Sequence, residues 1–328
     1  MNLIGYACSY IPVEILSATG LHPYRLLHGA FDLSKEGERF VRVDACPMVK
    51  SNLAHVIKNQ AKFAALIGST GCDMSRRMFD ILAEHTKIPV YVVNIPRTDN
   101  PAIYNDEIDW LAKQLEHFTH KELIAEMITD EISKWEARRA RLRSIDIKRA
   151  AHPSLISTTD FHKLMSGYHK GALSDEITQH QDPTDKPRVY LLGSAITYEA
   201  NHILQLIEEK LRIVGDFNCG LSRPLGIRIK EQSIDGVKKA YYDQAPCVYK
   251  RPHQRYYEFI KAETVRLGCT GIIAWTLDYC DVHEFELQKI ENVLNLPVLR
   301  IRSDFSFQGL SQLKTRIEAF TEMLCTRI

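Results

Sequence analysis

Short apolar runs closed by glycine, proline or cysteine recur along the chain, separated by amphipathic stretches. Phe63-Ala-Ala-Leu-Ile-Gly68 is the plainest, an uncharged run followed by Ser-Thr-Gly. A run of that length between turn residues reads as a strand buried on both faces, as in a parallel sheet. Met74, Met78, Ile81 and Leu82 then recur at helical spacing as far as His85, and Ile88-Pro89 stops that helix. Cys72 stands where the strand gives way to the helix. Sites in open α/β sheets form at such strand ends. Asp73 is expected to cap the helix, whose amides would favour a thiolate.

The pattern returns near the C-terminus as Gly271-Ile-Ile-Ala-Trp-Thr-Leu-Asp-Tyr-Cys280-Asp281, then a helix, then Leu296-Pro297-Val298. Any βαβ unit shares the strand and the helix. The Cys-Asp to Pro-Val interval is the same in both places, 72 to 89 and 280 to 297, and this predicts an internal duplication with two similar α/β domains facing each other.

The remaining segments fill in around these two units. Asn2 to Ala7 reads as a first strand ending at Cys8, Pro12 to Ala18 as a helix closed by Gly20, and His22-Pro23 as the start of an extended segment. Phe40 to Val43 is expected to be a short strand delivering Cys46, with Pro47 in a first helical turn and a helix over Met48 to Ala64. Helical patterns cover roughly 105 to 147. Residues 151–186 are polar and irregular, with Pro153, Gly167, Gly171 and Pro183 and a short helix near 159 to 166. They read as a connecting segment between an N-terminal α/β domain with a helical extension (1–150) and a C-terminal α/β domain (187–328). The second domain shows a strand from Pro187 to Gly193, a helix over Ala200 to Lys210 and a strand over Leu211 to Phe217 that delivers Cys219. Cys247 and a helix follow, then the Cys280 unit, a loop over Phe305 to Gly309 and an amphipathic closing helix over Gln312 to Leu324.

A chain of 328 residues with 45% hydrophobic content fills two cores. With 42 Lys and Arg against 41 Asp and Glu there is no global field for nucleic acid or a membrane surface. The basic run Arg138 to Arg149 alternates with apolar residues and reads as a solvated helix face. No run approaches the ~20 apolar residues of a membrane span, and the N-terminus lacks the charge pattern of a signal peptide, so a cytoplasmic location is expected. There, eight cysteines imply metal, catalysis or packing rather than disulfides.

No Cys-x-x-Cys occurs, so zinc-ribbon, thioredoxin and ferredoxin spacings are all absent. Cys8, Cys46, Cys72, Cys219, Cys247 and Cys280 each follow a predicted strand or sit beside proline or glycine in a loop; Cys269 and Cys325 look ordinary. A lone cysteine is commonly a small buried hydrophobe, but six at loop positions on one side of two sheets are not explained that way. Soft thiolates gathered from strand ends suit an iron–sulfur cluster, with zinc as the other candidate.

The motif order YACSYIPVEILSATGLHP, DACPMVKSNL, STGCDMSRRMFDIL, DYCDVHEFEL and SDFSFQGLSQLKTRIEAFTEML resembles the 2-hydroxyacyl-CoA dehydratase and benzoyl-CoA reductase family over nearly the whole chain. The resemblance implies two flavodoxin-like domains, each a doubly wound, mostly parallel sheet, and a 4Fe-4S cluster held by Cys46, Cys72 and Cys280. FNCGLSR and APCVYKRPHQR extend the likeness to the double-cubane cluster branch, which would add Cys8, Cys219 and Cys247 as ligands of an 8Fe-9S centre. The chain is short for the family, so helical insertions that shape an acyl-CoA pocket would be trimmed. The family also implies a separate ATP-dependent iron–sulfur activator ATPase and a dimer, either of two copies or with a sister subunit.

The chain has no G-x-x-x-x-G-K-S/T loop of its own and no G-x-G-x-x-G fingerprint. Glu14, in Pro-x-Glu, and Glu286 are candidates for carrying protons to a small substrate, with capping or surface roles as the alternative for each. His283 is expected to be exposed. Arg76 and Arg77 would either offset cluster charge, meet a CoA phosphate or form surface salt bridges. Three functions fit: an iron–sulfur reductase component fed by the ATPase, a 2-hydroxyacyl-CoA dehydratase subunit with one cluster, or a non-catalytic protein that matures or stores a cluster.

Overall fold

The computed structural model describes residues 2–172, 182, 185–306 and 309–326. Part of the connecting segment, Pro183 included, part of the Phe305–Gly309 loop and the last two residues lie outside them.

The first half runs β1 (Leu3–Tyr6), α1 (Val13–Ala18), β2 (His22–Arg25), α2 (Phe31–Gly37), α3 (Pro47–Lys58), β3 (Phe63–Ser69), α4 (Asp73–His85), β4 (Val90–Val93), α5 (Pro101–Thr119) and α6 (Ala125–Ala151). After α7 (Thr158–His169) the second half runs β5 (Arg188–Gly193), α8 (Asn201–Glu208), β6 (Arg212–Asp216), α9 (Ile234–Asp243), α10 (Gln254–Arg266), β7 (Gly271–Leu277), α11 (Asp281–Leu294), β8 (Val298–Ser303) and α12 (Leu310–Cys325). Each half holds a four-stranded, all-parallel sheet, ordered β2-β1-β3-β4 in one and β6-β5-β7-β8 in the other. Both are the doubly wound order whose switch point lies between the first and third strands. The central strands β3 and β7 are apolar because helices cover both of their faces, and every residue of β7 is buried. The strand–cysteine–helix units fall on β3–α4 and β7–α11, at the same place in the two sheets.

Several segments differ from their sequence pattern. Phe40 to Val43 is a turn, not a strand: the segment meets no sheet edge, Val43 is 64% exposed, and Phe31–Gly37 instead forms a helix packed on α3. Cys46 is therefore delivered by a loop. Helix α3 ends at Lys58 rather than Ala64, because Asn59 leaves helical geometry and a 3-10 turn over Gln60–Lys62 leads straight into β3. The basic run on α6 is not a solvated face, since Arg139 and Arg149 are fully buried. Arg139 Nη2 lies 2.6 Å from Glu14 Oε1, and Arg149 Nη2 lies 2.8 Å from Asp216 Oδ2. Helix α6 so joins the halves, packing on α1 of the first and β6 of the second. No helix among the described residues is long and apolar enough to cross a membrane.

A cysteine-lined cavity where two switch points meet

All six of the cysteines singled out by position line one cavity of about 170 Å³. One water needs roughly 10–15 Å³ on this scale, so the space suits an occupant far larger than a water. Cys8 lies beyond β1 and Cys72 beyond β3, so they flank the first switch point; Cys280 lies beyond β7 at the second. Cys46, Cys72 and Cys280 are the N-cap residues of α3, α4 and α11. Cys219 follows β6, and Cys247 sits in the α9–α10 loop. Cys269, after α10, and the exposed Cys325 are not part of the cavity wall.

The local structure that places Cys219 is dense. Asn218 Oδ1 accepts from Ile196 N–H (2.8 Å) and Gly220 N–H (2.9 Å), while its Nδ2 donates to Ser194 O (2.7 Å). A Cβ on Gly220 would stand 2.0 Å from Ile196 O, so the residue after the cysteine has to be glycine. Gly193, at the end of β5 on the cavity wall, has φ +116°, and a Cβ there would stand 1.8 Å from Trp275 O. Both glycines let backbone close in around the thiols.

The thiols sort electrically into two groups. Cys46 feels Cys280 and Cys72, whereas Cys8 feels Cys247 and Cys219. Each group takes members from both halves of the chain. Burial pushes the Cys46 thiol up to about 12, and the Cys72 thiol up to about 11 against hydrogen bonds from the Ser75 and Met74 amides. The helix amides thus act in the direction expected, but burial outweighs them, and Asp73 does not cap: Cys72 is itself the N-cap and receives no side-chain cap. Burial likewise raises Cys8 and Cys280. Cys219 goes the other way. Burial raises it, but the guanidiniums of Arg223 and Arg25, with bonds from Ser9 and Arg223, bring it below the usual thiol range.

Those two arginines had no signal in the sequence beyond FNCGLSR. Arg223 Nη1 lies 3.8 Å from Cys219 Sγ, and its plane covers the Tyr10 ring at 5.0 Å. Arg25 donates to Cys219 O (2.6 Å) and Ser9 Oγ (2.8 Å). Arg76 and Arg77 are exposed on α4 and absent from the wall, and Arg77 pairs with Asp80 on its own helix. His283 is half-buried on the cavity wall rather than exposed, and burial holds its imidazole down to about 4.

The two carboxylates are placed very differently. Glu14 is fully buried, paired with Arg139 and accepting from Tyr241 Oη (2.8 Å), and it does not line the cavity. Its surroundings are those of a structural ion pair rather than of a proton carrier. Glu286 is on α11 at the wall of a side pocket of about 180 Å³ that shares Cys72, Val248, Tyr249 and Val282 with the cavity.

Six soft donors and no carboxylate on the cavity wall suit an iron–sulfur centre. Thiolate-bound clusters are anionic, and the wall supplies buried cations to meet that charge. Arg25 and Arg223 each bury an Nε that has no hydrogen-bond partner. Among the described residues no three His, Cys, Asp or Glu side chains converge on a single-ion position. The thiols surround a space instead.

A family model described as 2-hydroxyglutaryl-CoA dehydratase, D-component, matches residues 8–324, and the chain belongs to that family. It is 24% identical to YjiM of Escherichia coli (strain K12), over 98% of this chain and 91% of that one. It is 21% identical to the (R)-phenyllactyl-CoA dehydratase beta subunit of Clostridium sporogenes, with 98% and 91% covered. Identity to the (R)-2-hydroxyglutaryl-CoA dehydratase, subunit beta, of Acidaminococcus fermentans is 22%, with 98% and 92% covered.

Proposed function

We propose that this chain is an iron–sulfur reductase component that holds a double-cubane-type 8Fe-9S centre through Cys8, Cys46, Cys72, Cys219, Cys247 and Cys280. The observation that carries the proposal is that all six thiols line one cavity and fall into two groups of three. Such a centre, when bound, supplies single electrons of low potential. The chain supplies ligation, burial and positive charge. Arg223 and Arg25 bring the Cys219 thiol down, and the thiols raised by burial release protons as they take up metal. Glu286, on the wall of the side pocket, would be the acid for a small substrate held there.

The electron source proposed is a separate ATP-hydrolysing iron–sulfur protein, motivated by the missing phosphate-binding loop. Reduction of the centre should then require ATP and that partner; full multi-turnover reduction by a simple ferredoxin without ATP would contradict it. A second assignment is favoured by the beta-subunit relatives. In it the chain is one subunit of a 2-hydroxyacyl-CoA dehydratase, with a single 4Fe-4S cluster on Cys46, Cys72 and Cys280 and a sister subunit beside it. Iron and acid-labile sulfide in anoxically purified protein separate the two. About eight irons per chain are expected for the double centre and about four for the single cluster. Stoichiometric zinc without sulfide would overturn both.

A further inference from the structure

The side pocket beside the cavity carries an acid whose surroundings go beyond a lone carboxylate. Glu286 is 4% exposed. Three groups from α10 and its approach loop face it. His253 Nδ1 lies 2.9 Å from Glu286 Oε2, the Tyr257 hydroxyl donates to the same oxygen, and Arg251 Nη2 lies 3.6 Å from Oε1. The Tyr257 oxygen is also 3.3 Å from His253 Nδ1.

The partner of the other ring nitrogen fixes the proton count. His253 Nε2 lies 2.7 Å from the Val248 carbonyl oxygen, which can only accept, so Nε2 carries a hydrogen. In neutral His253 the Nδ1 lone pair would then point at a carboxylate oxygen 2.9 Å away, two acceptors in contact. One further proton has to lie between them, either on Nδ1 or on Glu286. Burial pushes the His253 imidazole down and the Glu286 charge acts against that.

We infer that Glu286 and His253 share one labile proton and that Glu286 delivers it to a small substrate standing in the side pocket. The inference rests on the reductase assignment. For each electron that the substrate takes from the low-potential iron–sulfur donor, Glu286 transfers one proton to the reduced atom. This leaves a carboxylate facing the Nδ1 lone pair, with Tyr257 still donating. Water entering through the pocket mouth returns one proton before the next electron arrives. The pocket admits a molecule of a few heavy atoms between Tyr249 and Phe285, with Arg97 and Arg251 on its wall. Cys72, Asp73 and Asp281 also line the pocket, and Tyr256 on α10 and His283 and Lys289 on α11 are further charged or titratable neighbours. Glu286 touches the substrate in this scheme; His253 holds and positions the proton.

Histidine NMR of the full-length protein, as purified, is the test. His253 should show the Nε2-protonated form and titrate with a midpoint that falls by about one pH unit or more in Glu286→Gln, because the opposing charge is lost. With dithionite, ATP and the ATP-hydrolysing iron–sulfur partner as the electron source and hydroxylamine as probe (NH2OH + 2e− + 2H+ → NH3 + H2O), the same variant should keep its iron but lose at least about 100-fold in rate. An unmoved His253 midpoint overturns the inference. So does an iron-loaded protein with no probe reduction, or a variant that keeps the wild-type rate. Loss of the reductase assignment is read separately, from a wild type without iron.

Discussion

Cys219→Ala and Cys247→Ala should each strip the protein of roughly half its iron or prevent assembly altogether. Neither residue has a second cysteine within two positions that would replace the lost thiolate, and Cys8 feels the charge of both. Metal binding and folding of the site are linked, so removing one ligand costs the occupant rather than one bond. Cys46→Ala and Cys72→Ala should do the same from the other side. A buried cysteine of no further consequence would behave otherwise: alanine there costs ~1 kcal/mol and leaves iron content alone. Cys269→Ala and Cys325→Ala, which lie off the cavity wall, should show that outcome. Iron analysis and the visible spectrum of anoxically purified variants check this. Wild-type iron in both Cys219→Ala and Cys247→Ala would reject the double centre and leave the three-cysteine dehydratase assignment in its place.

The second large effect lies in the scaffold. Arg139→Met should destabilise the protein by about 3–5 kcal/mol, because it leaves the Glu14 charge buried without its partner. Both side chains have no solvent exposure, and the pair ties α1 to α6. Tyr241, from α9 of the second half, donates to the same carboxylate, so the loss should also loosen the seam between the halves. The double variant Glu14→Leu/Arg139→Met should recover much of that stability, since an apolar pair of similar volume avoids the desolvation of two ions. Urea unfolding of the four proteins measures the cycle. A cost below about 1 kcal/mol for Arg139→Met, the range of exposed pairs, would show that Glu14 is not held this way and would reopen its role as a proton carrier.

What was legible in the sequence follows from which interactions are local. β3 and β7 announce themselves because a strand covered on both faces has to be apolar throughout, and the matching Cys-Asp to Pro-Val intervals carry the repeat that the two sheets share. The six cavity cysteines were legible for the same reason: strand ends and proline or glycine neighbours fix a residue's place at the rim of a sheet. Phe40 to Val43 misled because a short apolar segment becomes a strand only where a neighbouring strand is available to pair. Arg139 and Arg149 misled because a helix read alone does not reveal a carboxylate awaiting it from another element. Arg25 reaches Cys219 across 194 residues and His253 meets Glu286 from another element, contacts no local pattern shows; Arg223 and His253 lie within FNCGLSR and APCVYKRPHQR, but those motifs do not say what the two side chains touch.

The central claim is that six thiols from both halves of the chain hold one double centre. X-ray data collected around the iron absorption edge on anoxically grown crystals test it most directly. The account predicts anomalous density for two adjoining iron clusters in the one cavity, one bounded by Cys46, Cys72 and Cys280 and the other by Cys8, Cys219 and Cys247. A single cluster at Cys46, Cys72 and Cys280, with ordered free thiols at Cys8, Cys219 and Cys247, would contradict it.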